Sequence, residues 1–318
     1  MDSWWSKKTV AITGGTGSLG RALSRRLLQE DIRALRVISR DEFKGATYLR
    51  EFTDPRAKYL IGDVRDKDRL RLAFAGVDVV IHAAAYKRVE FGESDPLDFI
   101  KTNVGGAENV ITAARECGVA RCLLVSTDKA AAPHTLYGGT KMLAERLFVA
   151  ANVYTPNGTI YAACRYGNVA GSRGSLIPLL MEQRESGVVT ITNSRMSRFY
   201  MRMSEAVELV VSTVETMRPS EIHVPKIPSV WVRDVVEAVA PGCEVRVVGI
   251  RAAEKLHETL VTQDEARSCE DRGDRYVIKV GTIFDEAVGF LYSSDQNDRW
   301  LNVKAIMADY PSAVAEAA

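Results

Sequence analysis

The sequence offers little to a metal, a membrane or a polyanion. Its five cysteines, Cys117, Cys122, Cys164, Cys243 and Cys269, form no CxxC pair and no zinc-like spacing. Reduced thiols in a cytoplasmic protein are expected, and a bound metal is not. No apolar leader follows the start MDSWWSKKTVAITGG, and the longest uncharged run, 147–164, is interrupted by Asn152, Pro156, Asn157 and Gly158. That run is a poor membrane span. Lys and Arg number 42 against 41 Asp and Glu, a net charge of +1, so the balance carries no footprint of a nucleic-acid or membrane-surface binder. Repeats and low-complexity segments are also missing. The expected partner is a small molecule.

What is present is an ordinary globular composition, 318 residues with 46% apolar and 26% charged side chains, enough for one large domain or two smaller ones. Short β-branched runs recur at 9–13, 36–40, 59–63, 77–82, 121–127 and 159–165, with helical spacing between most of them, as in 19–30 and 103–117. The runs VDVVIHAAA and RCLLVST are continuously apolar, which suits strands buried on both faces of a parallel sheet. The predicted fold class is α/β, a Rossmann-type doubly wound parallel sheet with a smaller, discontinuous substrate-binding domain. Residues 1–174 and 202–243 are assigned to the nucleotide-binding part, and 175–201 and 244–318 to the smaller one. A helix over 204–217 and a strand over 221–225 return the chain to the larger part.

In VAITGGTGSLGRALSRRLL, Gly14, Gly17 and Gly20 recur every third residue between the first strand and a helix. Glycines there let backbone amides approach a pyrophosphate, and the helix N-terminus favours the anion. Thr16, Ser18 and Leu19 belong to the same loop. The second strand ends in Ser39, Arg40 and Asp41. An acid at that tip suits a free ribose 2′-hydroxyl, whereas an arginine suits a 2′-phosphate. Because Ser39 and Arg40 come first, NADP is expected ahead of NAD. Asp63 and Val64, after the third strand, are placed near the adenine, with a helix-capping role as the alternative for Asp63.

The stretch STDKAAAPHTLYGGTK, 126–141, begins at the carboxyl end of the fifth strand, where open parallel sheets hold their ligands. Tyr137 and Lys141 are four apart and share a helix face. A tyrosine titrates near ~10, and a neighbouring cation favours its phenolate. With Ser126 or Thr127 holding a substrate oxygen, Tyr137 as base and a nicotinamide as hydride acceptor, this is equipment for alcohol oxidation. Asp128 and Lys129 exceed that need. An extra acid and an extra amine suit elimination of water: oxidation at a sugar carbon acidifies the neighbouring C–H, the amine removes that proton, and the acid protonates the departing hydroxyl.

The segments TGGTGSLG, SRDEFK, GDVRD, HAAAYKRVE, KTNVGGAENV, STDKA, YGGTK, RYGNVAGSRGS, RMSRF and EKLHE follow one another along most of the chain. Together they resemble the extended short-chain dehydrogenase/reductases, and more narrowly the inverting UDP-N-acetylglucosamine 4,6-dehydratases of polysaccharide biosynthesis. The resemblance implies bound NADP, a UDP-N-acetylhexosamine substrate, a homo-oligomer and a C5-inverted 4-keto-6-deoxy product. In it Tyr137 deprotonates O4, Lys129 acts at C5, Asp128 assists loss of the C6 hydroxyl, and Thr127 and Lys141 complete the catalytic set. Lys44, Ala83 and Ala84 join the cofactor residues, and Lys87, Asn168, Arg173 and Arg251 lie near the sugar nucleotide. GIRAAEKLHE has Ala252 and Ala253 where the family usually has proline and glycine, and MRMSEAV stands where ITLDEAV is more usual. These departures bear on the hexosamine accepted. An epimerase using the same oxidation, or an NADP-sensing protein without catalysis, are the alternative readings.

Overall fold

A computed structural model of the chain describes residues 3–155, 158–172, 174–250, 254–282 and 289–317. Six strands, β1 (Thr9–Thr13), β2 (Ala34–Ser39), β3 (Ala57–Ile61), β4 (Val79–His82), β5 (Arg121–Thr127) and β6 (Ile160–Tyr166), pair in parallel in the order β3-β2-β1-β4-β5-β6. Glu221–Pro225 adds to β6 in parallel, and Arg275–Lys279 and Cys269–Asp271 extend that edge by antiparallel pairing into a nine-stranded sheet. Every residue of β1 and β4 is buried, as expected of strands covered by helices on both sides.

The chain winds outward from β1 to β3, then restarts at β4 on the other side of β1. That reversal opens a crevice at the carboxyl ends of β1 and β4, the place where doubly wound sheets bind ligands. Register aligns the rim: Thr13 sits beside His82, His82 beside Leu124, and Thr127 beside Tyr166. The Thr13 hydroxyl meets His82 Nδ1 at 2.7 Å across the crevice floor. Burial pushes His82 down to about 3, so its ring is neutral and serves as a fixed hydrogen-bond partner.

The helix expected over 103–117 begins earlier, with a π-helical turn, Ile100–Gly105, before the α-helix Gly106–Glu116. The wide turn seats Asn103 inward, 2% exposed. Its amide bonds both the N–H and the carbonyl of Tyr86 and donates to Thr140 Oγ1. Such turns often mark functional sites; here one side chain ties the loop after β4 to the helix that carries Tyr137.

A second core gathers Ile177, Leu180, Val189, Ile191, Val235, Val236, Val239 and Ile306. It is framed by Ser197–Met201, paired with Asn168–Val169 and Ser229–Trp231, and by Val188–Ile191, paired with Glu244–Val247. Two assignments made from sequence differ from this picture. The helix Val232–Val239, counted with the larger part, packs here because Val232, Val235, Val236 and Val239 form one apolar stripe. Conversely, 269–279, counted with the smaller part, completes the main sheet, where Val277 and Ile278 are buried.

Among the described residues no helix is long and apolar enough to cross a membrane. No group of three or more His, Cys, Asp or Glu side chains among them could hold a metal ion.

Candidate active site

The glycine loop closes onto the loop after β4. Gly14 has φ +70, and a Cβ there would lie 2.7 Å from the Ala84 backbone, so only glycine permits the approach. Gly20 packs against Gly15, where an added Cβ would come within 2.3 Å. Gly17 precedes helix α1 (Ser18–Leu27) and makes no side-chain cap, leaving first-turn amides open toward the crevice. The loop turns its polar side to β2: Thr16 Oγ1 donates to Ser39 Oγ at 2.9 Å.

A cleft of about 140 Å³ runs along this rim, lined by Gly14, Ser39, Arg40, Asp63, Val64, Ala84 and Tyr86 among others. A larger, open depression of about 620 Å³, bordered by Arg115, Gly118 and Thr155, lies at the opposite, amino ends of the strands. Ligands of doubly wound sheets sit at the carboxyl ends instead. Arg40 stacks 4.5 Å above the Tyr86 ring and lies 3.9 Å from Asp63. Asp63 pairs with Arg65 at 2.7 Å; burial opposes its charge, and Arg65 holds the carboxyl below the usual range. Asp41 has another task. It caps the helix Glu42–Glu51, accepting the Lys44 N–H at 3.0 Å, and pairs with Lys44 Nζ at 3.2 Å.

The carboxyl end of β5 turns at once into a short 3₁₀ segment, Asp128–Ala130, and the helix Leu136–Ala151 follows. Tyr137 and Lys141 are both buried on its inner side. Lys141 Nζ donates to the Val125 carbonyl at 2.8 Å, and burial lowers it to about 8. Burial raises the Tyr137 phenol, while the Lys129 ammonium and the Thr127 hydroxyl pull it the other way. Lys129 is thus a cation acting on the phenol, and Lys141, which sequence spacing nominated for that part, donates to a strand carbonyl.

Lys129 lies between two carboxylates, 3.0 Å from Asp128 Oδ1 and 3.3 Å from Glu258 Oε1. Asp128 Oδ1 also accepts the Thr127 hydroxyl at 2.8 Å. Burial opposes charge throughout this cluster, with different outcomes. It raises Asp128, which is 1% exposed, and the Glu258 charge adds to that rise. The two carboxylates outweigh burial at Lys129 and raise it. At Glu258, Lys129, Arg198 and Lys255 outweigh burial and lower it. Asp128 Oδ2, Glu258 Oε2 and Ser126 Oγ are buried without a hydrogen-bond partner among the described residues, an unfinished polar lining that a ligand would complete.

Of the proposed sugar-nucleotide contacts, Lys87 and Asn168 are exposed at the same end of the sheet. Arg173 and Arg251 lie outside the described residues. Glu258, Asn103 and Arg198 went unassigned from sequence, although each lies within a segment that carries the family resemblance: EKLHE, KTNVGGAENV and RMSRF.

The sheet order and the Tyr137–Lys141 pair at its rim are those of an extended short-chain dehydrogenase/reductase. Residues 10–280 match the model of the polysaccharide biosynthesis protein family, and the chain belongs to that family. A UDP-N-acetylglucosamine 4,6-dehydratase (inverting) of Campylobacter jejuni is 41% identical over 325 residues, covering 95% of this chain and 97% of that protein. A UDP-glucose 4-epimerase of Rickettsia canadensis is 40% identical over 281 residues, covering 85% of this chain and 82% of the epimerase. Among solved structures, Pen from Bacillus thuringiensis superposes with a TM-score of 0.90 at 32% identity, covering 96% of this chain and 97% of that one.

The two glycines after Tyr137 differ in kind. A Cβ on Gly138 would stand 2.4 Å from the Lys129 carbonyl oxygen, whereas one on Gly139 meets nothing within 4 Å. Gly139→Ala should therefore stabilise the protein by roughly 0.5–1 kcal/mol through helix entropy. Gly138→Ala should destabilise it by about 1–3 kcal/mol by pushing the Lys129 turn away. Urea midpoints of the two variants, with activity measured alongside, check this; equal effects would refute the close-packing argument.

Proposed function

We propose that this chain is an NADP-dependent hydro-lyase that removes water from a UDP-N-acetylhexosamine, acting as a C5-inverting UDP-N-acetylglucosamine 4,6-dehydratase. The observation that carries the reading is the Asp128–Lys129–Glu258 cluster beside Tyr137: two proton-handling groups and a charge partner beyond what alcohol oxidation needs. The 41% identity to the Campylobacter jejuni dehydratase over 95% of the chain supports the substrate and the outcome. Homo-oligomeric assembly and a cytoplasmic setting, where nucleotide sugars are made, belong to the same proposal.

The residues present fit a dinucleotide. Gly14 admits close backbone approach, α1 presents uncapped amides, and the cleft runs on past Ser39 and Arg40. Arg40 faces this cleft while the Asp41 carboxylate is engaged with its own helix, which favours a 2′-phosphate over a free 2′-hydroxyl. When bound, a nicotinamide supplies the acceptor for the C4 hydride and its return to C6.

The chain's own residues move the protons. Tyr137 takes the O4 proton; burial raises its phenol, and the Lys129 ammonium opposes that rise and favours the ionised form. The resulting 4-ketone makes the C5–H acidic. Transfer of one proton along the 3.0 Å bond from Lys129 to Asp128 creates an amine and a carboxylic acid together. Burial of Asp128 favours that neutral acid. The amine then takes the C5 proton, the acid protonates the departing C6 oxygen, and water leaves; the pair returns to ammonium and carboxylate. A proton from solvent then reaches C5 from the opposite face, and Tyr137 releases to solvent the proton it took from O4, which balances the cycle and gives the inverted product.

The 40% identity to a UDP-glucose 4-epimerase supplies the second reading, oxidation and reduction at C4 without elimination. Incubation with UDP-N-acetylglucosamine in deuterated water separates the two: a product lighter by one water with deuterium at C5 is expected, and an unchanged mass would favour epimerisation. For the cofactor, Arg40→Ala should weaken NADP binding by about tenfold or more, the worth of a charged hydrogen bond, and leave NAD binding within about threefold. Titration calorimetry of the two nucleotides reads this, and an equal loss for both would argue against 2′-phosphate recognition.

A further inference from the structure

Glu258 reaches the catalytic turn from far along the chain and does so from a fixed backbone. Its N–H donates to Ser294 Oγ at 2.9 Å, and its carbonyl accepts the Ser294 N–H at 2.8 Å. Ser294 Oγ in turn lies 2.7 Å from Ser197 Oγ. The carboxylate, in a residue 3% exposed, places Oε1 3.3 Å from Lys129 Nζ and 3.7 Å from Arg198 Nε, while Oε2 is buried with no hydrogen-bond partner among the described residues. Lys255, three residues earlier, donates to the Ala131 carbonyl at 2.8 Å and adds a further positive charge. The charged and titratable groups acting on this carboxylate are thus Asp128 and Lys129 from the main sheet's rim, Arg198 from the strand Ser197–Met201, and Lys255 from the segment that carries Glu258 itself.

We propose that Glu258 is a positioning residue that sets the base strength of Lys129, so that a segment far along the chain supplies the charge that makes C5 deprotonation possible. The proposal rests on the dehydratase reading above. Glu258 gains and loses no proton itself. As the Lys129 amine accepts the C5 proton, positive charge develops on Nζ beside a pre-placed, water-excluded carboxylate, which stabilises the forming ammonium. The same anion raises the proton affinity of Asp128, which favours the acid form once the proton has moved from Lys129. A neutral group of the same shape would fill the space and do neither.

Glu258→Gln is that group. With the Glu258 charge removed, Lys129 and Asp128 both bind their protons less tightly. The midpoint of Lys129 should fall by about one pH unit or more. This can be read without substrate or cofactor from the ¹³Cε signal of labelled lysine, assigned with Lys129→Arg. In turnover, kcat should fall about 10- to 100-fold, with KM within about threefold. The pH–kcat profile should move to lower pH, and the isotope effect from C5-deuterated substrate should grow. If E258Q does not accumulate as folded protein, Glu258→Asp carries the test, its retracted carboxylate lowering the Lys129 midpoint by a smaller amount.

A purely structural Glu258 would lower stability and leave the Lys129 midpoint and the isotope effect where they were; that result, in either variant, overturns the proposal. If the wild-type protein fails to dehydrate any UDP-sugar, the functional reading fails, while the Lys129 midpoint still reports on the electrostatic claim.

Discussion

The guanidinium of Arg165 holds the two halves of the active site in register. All five of its donors are used: Nε and Nη2 on the Glu145 carboxylate, Nη1 and Nη2 on Glu265, and Nη1 on the Leu260 carbonyl. Arg165 is 1% exposed at the end of β6. Glu145 stands two helical turns beyond Tyr137, and Leu260 follows Glu258 by two residues. One buried cation therefore joins the helix carrying the phenol to the segment carrying the carboxylate that faces Lys129. A buried charge of this kind tolerates no missing partner, since losing one leaves an uncompensated ion in the core. Its worth here lies in specifying a single arrangement of the chain around it.

Given that arrangement, the chemistry follows from opposing environments within one small volume. Asp128 and Glu258 are both buried carboxyls, yet their proton affinities are driven apart, up for one and down for the other. Glu258 faces three cations, whereas Asp128 has one cation, a hydroxyl and a neighbouring anion. Pairs of like groups pushed in opposite directions are how a protein assigns acid and base roles near neutral pH. Lys129 links the two. Gly138 makes the linkage possible by letting the Tyr137 helix lie against the Lys129 carbonyl.

Much of this was legible in the sequence, and the reasons it was not complete are physical. β1 and β5 begin and end where their apolar runs do, because strands buried on both faces carry an uninterrupted signal. The glycine loop and the Tyr–Lys spacing are local patterns, and local patterns survive without coordinates. Glu258 is separated from Lys129 by 129 positions and sits in a charged stretch that reads as a solvated surface. Asn103 depended on a π-helical turn that a simple helical period does not announce. The edge strands 269–279 are short and only partly covered, so their place in the main sheet came from pairing rather than from pattern. The action of Lys129 on the Tyr137 phenol was not legible, because Lys129 lies on the 3₁₀ turn before the helix and shares no helical spacing with Tyr137.

In the proposed reaction a lysine and an aspartate, charged against each other at the sheet's rim, work on one sugar carbon and its departing hydroxyl. A crystal structure with the dinucleotide and a UDP-N-acetylhexosamine bound tests it most directly. Lys129 Nζ is expected about 3–3.5 Å from ring carbon C5, with Asp128 Oδ2 within hydrogen-bond reach of the C6 oxygen. A sugar ring seated at Tyr137 with its C5–C6 side turned away from both groups would contradict it.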